Sequence, residues 1–183
     1  MRVRIGVSNR HVHLKKEDFI KLFGNDNLEV DKELYQPGQF ASKCKVTVKT
    51  TKNEIKNVRV IGPFRDYTQI EISRTDAYTL GLNPPVRISG DLNESEVVTL
   101  VGPCGELVTN GCIIADRHIH ISEEDVKKYN LTDTLMVEIG STKKSILYGV
   151  HLKISPGSKM EMHIDTDDAN GNLVKTGDEG EIK

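Results

Sequence analysis

The amino-acid sequence predicts a mainly β protein of the sandwich or barrel type, built by duplication and carrying only a few short helices. Three observations predict it. Apolar residues recur mostly with period two in short runs. Turn residues, fifteen glycines among them, separate those runs. One motif occurs twice in the chain.

Taken in order, Val3, Ile5 and Val7 alternate with other residues, as do Val46 and Val48, Ile70 and Ile72, and Val86 and Ile88. Further runs span Val97 to Val101, Leu135 to Ile139, and Tyr148, Val150, Leu152 and Ile154. Successive strand side chains point to opposite faces, so each set predicts one buried face. In the last run this turns Tyr148 and Ile154 inward and leaves His151 as an unduplicated surface residue. Gly62-Pro63, the stretch from Gly81 to Pro85, and Gly102-Pro103 break the runs. Two helices are expected. One follows Ser122, where Ser122 and Asp125 have capping-box spacing before Val126 and Tyr129. The other runs from about Lys16 to Phe23.

Composition bounds the function. A chain of 183 residues accommodates one large domain or two small ones. Its net charge of −2 supplies no field to gather nucleic acid or an anionic membrane surface, so neither is expected as a partner. Aromatic residues make up 5%, without tryptophan, too few for a single-strand stacking platform. No run approaches the roughly 18 apolar residues that span a bilayer. Met1-Arg2-Val3-Arg4-Ile5 alternates at once and reads as a strand rather than a signal peptide. Cys44, Cys104 and Cys112 cannot all pair within one chain and lack C-x-x-C spacing, which predicts reduced thiols and a cytoplasmic protein.

The repeat is the most informative feature. Residues 7–19 read VSNRHVHLKKEDF and residues 114–126 read IADRHIHISEEDV. A second correspondence sets IEISRTDA (70–77) against MHIDTDDA (162–169), which places Glu71 opposite His163. Two matches in one order imply duplication of a unit of roughly 80 to 100 residues.

On a strand, His11 and His13 share one face while Val12 and Leu14 take the other; His118 and His120 repeat this against Ile119 and Ile121. Two neutral imidazoles on one face are a ready pair of metal ligands. A single such pair is weak evidence and is more often a pair of surface or hydrogen-bonded histidines. Its duplication, which absorbs four of six histidines, favours metal. The second correspondence adds a third ligand to each. One set is His11, His13 and Glu71; the other is His118, His120 and His163. Three protein ligands are the pattern of a catalytic zinc with a free position.

Arg10 and Arg117 precede the two pairs and either anchor the motif or bind an anion. Arg65 has no counterpart, its aligned position being Gly157. It is either a bidentate clamp for phosphate or carboxylate, or one half of a loop salt bridge. Cys104 has no neighbouring histidine to activate it and reads as an incidental or buried thiol. Helix capping accounts for the repeated Asp76 and Asp168.

These residues resemble the PduL-type phosphate acyltransferases, the phosphotransacylase family that includes phosphate propanoyltransferase. The resemblance rests on Ser8 to Leu14, Gly62-Pro-Phe-Arg65, Thr68 to Ala77, Pro85 to Asp91, Arg117 to His120 and Met162 to Ala169, and it covers essentially all 183 residues. It implies two tandem related β-barrels with the active site between them. Residues 10–117 would form a central barrel with a small two-stranded insertion near 24–43. Residues 1–9 and 118–183 would form the second, with exchanged strands. It implies two zinc ions per chain on the two ligand sets above, a phosphate contact at Arg65, and a homodimer. The implied reaction converts acyl-CoA and phosphate reversibly to acyl phosphate and coenzyme A. Some members carry an N-terminal extension that targets a bacterial microcompartment; here the family-like sequence starts almost at Met1, and the free cytoplasm is expected.

Other classes fit less well, an amidohydrolase among them because 183 residues are too few for its barrel of about 250. A two-domain cupin-like metalloenzyme would use His11, His13 and Glu17, but the helix expected after Lys15 takes Glu17 off the strand. A non-catalytic metal-binding module is disfavoured by open three-ligand sets and by Arg65.

Overall fold

The computed structural model describes residues 1–183 and holds fourteen strands and four short helices. The chain begins with β1 (Arg2–Ser8), β2 (His11–His13), α1 (Lys16–Phe23), β3 (Val30–Glu33) and β4 (Phe40–Lys49). It continues with β5 (Glu54–Gly62), β6 (Gln69–Glu71), α2 (Arg74–Leu80), β7 (Val86–Arg87), β8 (Glu96–Val101) and β9 (Glu106–Ala115). Then come β10 (His118–Ile121), α3 (Glu123–Tyr129), β11 (Thr134–Ile139), β12 (Ser145–Ile154), β13 (Glu161–Asp165), α4 (Thr166–Asn172) and β14 (Glu179–Ile182). No helix is long and apolar enough to cross a membrane.

Two compact units result, Arg10–Ala115 and Met1–Asn9 with Asp116–Lys183. In the first, β4 pairs with β5, β5 with β2, β2 with β6, β6 with β9, β9 with β8, and β8 with β4. Those six strands form a closed ring. β3 extends it beside β4, and β7 pairs with the end of β9. In the second unit β11, β12, β10, β13, β1 and β14 close in the same way. The mainly β class with two related barrels is borne out.

The rings match strand for strand, with the same parallel or antiparallel sense at all six joints. β2 corresponds to β10, β6 to β13, and β9 to β1. The strand leading into each H-x-H therefore belongs to the other half's barrel. β1 precedes His11 yet pairs with β13 and β14, while β9 precedes His118 yet pairs with β6 and β8.

Each barrel has its own core. Val12, Leu14, Phe19, Val46, Val48, Ile70 and Leu100 are among the buried residues of one; Val3, Ile5, Ile119, Ile121, Val137, Val150 and Met162 are among those of the other. The period-two runs thus place most core residues correctly.

One run does not. Tyr148 is 67% exposed and Ile154 45%, whereas Leu147 is buried beside Val150. Gly149 adopts a φ of 66°, open to a residue without Cβ, and an irregularity in the pairing of β11 with β12 accompanies it. An extra residue in a strand shifts the inward series by one, so Leu147 rather than Tyr148 faces the core. Val86 and Ile88 also depart from expectation: β7 is only two residues long and both side chains are about half exposed.

The two expected helices are α1 and α3. Ser122 Oγ accepts from the Asp125 amide and caps α3 as its spacing predicts. Helices α2 and α4 follow the two third-ligand strands, where helix capping is expected of Asp76 and Asp168, although no helix bounds are predicted there. Each has seven residues, too few to display a 3.6-residue period. Their capping signals are clear in structure: Ser73 and Asp76 form a capping box, and Asp165 accepts from the Asp168 amide.

The bulge generates a stability prediction. Leu147→Ala should lower the unfolding free energy by about 2–4 kcal/mol, while Tyr148→Ala stays within about 0.5 kcal/mol, in urea titrations followed by circular dichroism. The reverse ranking would restore simple alternation along β12.

Candidate functional site

The two H-x-H strands and their partners set up both ligand clusters. β2 runs antiparallel to β6 with His11 directly opposite Glu71 and His13 opposite Gln69. β10 runs antiparallel to β13 with His118 opposite His163 and His120 opposite Glu161. Directly opposed residues of an antiparallel pair have side chains on the same face a few ångströms apart. Two sequence-distant residues thereby join each histidine pair.

His11, His13 and Glu71 offer ligand atoms within 4.8 Å of one another, as do His118, His120 and His163. In the first cluster the Nε2 atoms of His11 and His13 are 3.2 Å apart. Glu71 oxygens lie 3.5 Å from His11 Nε2 and 4.0 Å from His13 Nε2. In the second, the Nε2 atoms of His118 and His120 are also 3.2 Å apart, and the His163 ring packs against both. A tetrahedral zinc with bonds of about 2.0–2.1 Å separates its ligand atoms by about 3.3 Å, so the spacings and the N/O donor types fit that ion.

The faces carrying these side chains are not solvent-facing, as simple alternation would suggest. His13 is 5% exposed, Glu71 8% and His118 9%. Burial, and next the charge of neighbouring His11, push the His13 imidazole down to about 3 despite nearby Glu71. His13 is therefore neutral at any ordinary pH, the form that a metal ligand requires. The His118 Nδ1 lies 2.9 Å from the Asp116 backbone carbonyl. A carbonyl only accepts, so Nδ1 carries the proton and Nε2 keeps its lone pair toward the cluster.

The two arginines before the motifs resolve to the same task. Arg10 forks onto Asp76 through Nε and Nη2, each at 3.0 Å, and Arg117 onto Asp168 at 2.6 and 2.7 Å. Each ties the entrance of an H-x-H strand to the helix that follows the third ligand. They anchor the motif, and Asp76 and Asp168 hold an arginine in addition to belonging to helix starts.

Arg65 is different. Its Nη1 donates to the Tyr67 hydroxyl (3.3 Å) and its Nη2 to Gln39 Oε1 (3.0 Å), both neutral acceptors. Its buried Nε has no acceptor, and it takes part in no ion pair. Its charge acts on His13, a member of the Glu71 cluster. The loop salt bridge considered from sequence is absent, and the guanidinium is held by neutral acceptors.

The other candidates lie outside these clusters. Glu17 is exposed in the first turn of α1, against any role on the β2 strand. All three cysteines are free; burial pushes the Cys112 thiol up to about 12 and also raises Cys44, while Cys104 is exposed rather than buried. His151, read as a surface residue, is 35% exposed and sits 3.1 Å from Asp116, the residue that orients His118. Sequence reasoning also missed Gln69 and Glu161. The available signal was their position two residues before each third ligand, on the same strand face.

Two closed barrels, each presenting a three-residue His or His/Glu cluster, define a two-barrel protein with two candidate metal sites. The sequence profile described as phosphate propanoyltransferase matches residues 4–175. A phosphate propanoyltransferase of Thermotoga maritima is 46% identical over 179 residues, covering 95% of this chain and 85% of that protein. One from Levilactobacillus brevis is 45% identical, covering 99% and 88%, and one from Citrobacter rodentium is 44% identical, covering 92% and 82%. The chain belongs to the phosphate propanoyltransferase family, a family of acyltransferase enzymes.

The buried His13 yields a pH prediction. In the unfolded chain its imidazole takes up a proton near pH 6.5, but in the folded protein only near 3. Below the unfolded value the unfolded state binds the extra proton, so this contribution to stability is lost as pH falls from 6.5 toward 3. For chelator-treated protein, the His13 share of the loss between pH 7 and pH 5 should be about 2 kcal/mol. His13→Gln should flatten the pH dependence of the urea midpoint by that amount.

Proposed function

We propose that the protein is a metal-dependent phosphate acyltransferase acting on short-chain acyl-CoA, with propanoyl-CoA and acetyl-CoA as substrates and acyl phosphate and coenzyme A as products. One observation carries the reading furthest: relatives named phosphate propanoyltransferase cover more than nine-tenths of the chain. The unequal clusters and the unpaired Arg65 support it chemically.

His11, His13 and Glu71 would hold one zinc ion and His118, His120 and His163 the other. When bound, such ions polarise acyl and phosphate oxygens and stabilise sulfur anions. Arg65 binds phosphate. Its Nη groups exchange two neutral acceptors for a phosphate dianion, gaining charge-assisted, bidentate hydrogen bonds. Binding this anion also gives the guanidinium a directly bonded counter-charge, which no ion pair with the protein supplies. A phosphate oxygen then bonds to the thioester carbonyl carbon while the carbon–sulfur bond breaks. The electron pair leaves with sulfur, and the proton surrendered by phosphate ends on the coenzyme A thiol. Attack is direct: no serine or cysteine is paired with a histidine base, and Cys112 is held protonated by burial.

Loaded with zinc, the protein should release coenzyme A from propanoyl-CoA and acetyl-CoA only when phosphate is present, and a chelator should abolish release. Glu71→Ala and His163→Ala should each lower kcat/KM by about a thousandfold or more. Arg65→Ala should raise the KM for phosphate by about 10–100-fold, and Cys104→Ala should leave turnover intact. Coenzyme A release without phosphate would sink the assignment. A dead Cys104→Ala variant with both metals bound would replace direct attack by an acyl-enzyme.

A further inference from the structure

The second ligand cluster contains a buried carboxylate that the proposed reaction does not use. Glu161 is 3% exposed, two residues before His163 on β13 and so on the same strand face. Its Oε2 lies 2.9 Å from His163 Nε2, and its Oε1 accepts from Arg4 Nε at 3.0 Å. Gly6, directly opposite His163 on β1, makes room for this packing. A Cβ there would stand 2.9 Å from His163 Cδ2 and 3.0 Å from the Glu161 carboxyl carbon.

The first cluster repeats the arrangement with its chemistry inverted. Gln69, fully buried, occupies the position of Glu161, two residues before Glu71 on β6. Its Nε2 donates to Glu71 Oε1 at 2.6 Å and to Ser89 Oγ at 3.0 Å, and its Oε1 accepts from the Gly90 amide. A carboxylate ligand is thus met by an amide donor, and a histidine ligand by a carboxylate acceptor. The duplication preserved the position and exchanged the hydrogen-bonding sense together with the ligand.

We propose that Glu161, braced by Arg4, is the positioning residue of the three-histidine site, holding the proton of His163 on Nε2 so that Nδ1 faces the metal. The inference rests on the metal reading of that cluster. A carboxylate accepting from the remote ring nitrogen fixes the tautomer and ring orientation and raises the basicity of the coordinating nitrogen. Arg4 balances the charge so introduced. His118 and His120 present Nε2 atoms 3.2 Å apart, so this site would combine two Nε2 ligands with one Nδ1 ligand.

The test uses the full chain, stripped with a chelator and titrated with zinc against a chromophoric competitor. Wild type should bind two ions. Glu161→Ala should weaken one of them by about 10–100-fold and leave the other unchanged, while Glu161→Gln, whose amide oxygen still accepts from Nε2–H, should recover most of that loss. Nitrogen-15 spectra of the zinc-loaded wild type should show His163 metallated on Nδ1 and protonated on Nε2. Zinc on His163 Nε2, or a Glu161→Ala variant that is folded by circular dichroism and binds both ions with wild-type affinity, overturns the positioning role alone. A wild-type chain that binds no zinc overturns the metal reading with it.

Discussion

Everything at the site depends on the register of two short antiparallel pairings, β2 on β6 and β10 on β13. Neither ligand set is complete within one sequence segment. Glu71 lies 58 residues beyond His13 and His163 lies 43 beyond His120 (71 − 13 and 163 − 120), and only direct opposition across a ladder brings them together. A slip of one residue would turn each third ligand to the opposite strand face. The barrel cores prevent it, because Val12 with Ile70, and Ile119 with Met162, are opposed pairs buried on the other side. Hydrophobic burial on one face therefore sets the coordination geometry on the other.

Around that register the two halves apply one plan with different chemistry. Arg10 with Asp76, and Arg117 with Asp168, clamp equivalent backbone entrances and are nearly interchangeable. The third ligands and their neighbours are not. Glu71 with Gln69 brings a carboxylate directly into its cluster, whereas His163 with Glu161 keeps the carboxylate behind the histidine and bridged to Arg4. The first cluster consequently has a negative donor in direct reach of a metal, with the guanidinium of Arg65 nearby. The second presents three imidazoles. Such a difference in donor type gives the two clusters different preferences for any ion they hold.

Much of this was legible in the sequence because it follows from period-two burial and from self-similarity. The repeated H-x-H, the equivalence of Glu71 with His163 and the lone Arg65 need only counting and alignment of the chain with itself. What escaped depends on events that leave no periodic trace. At Gly149 one left-handed residue resets the inward series, so Tyr148 and Leu147 trade faces. Helices α2 and α4 are capped helices of only about two turns, too short to display a periodic apolar face. Gln69 and Glu161 looked like ordinary polar strand residues; their roles appear only when hydrogen-bond partners from β1 and from the loop at Ser89 are in place.

The exchange of leading strands also bears on how the molecule assembles. The barrel that holds the three-histidine cluster needs β1 against both β13 and β14, so residues 2–4 must meet residues 179–181. Contacts at such sequence separation are the slow ones to form. As the chain leaves the ribosome, the unit Arg10–Ala115 has all its strands early and can close while β1 waits unpaired. That strand, with Val3 and Ile5 destined for a core, is then an exposed apolar edge for the time needed to synthesise the rest. Its alternate arginines, Arg2 and Arg4, place charge along that edge, and Arg4 later becomes the brace for Glu161. One side chain thus places charge on the nascent strand's edge and afterwards braces the carboxylate behind the three-histidine cluster.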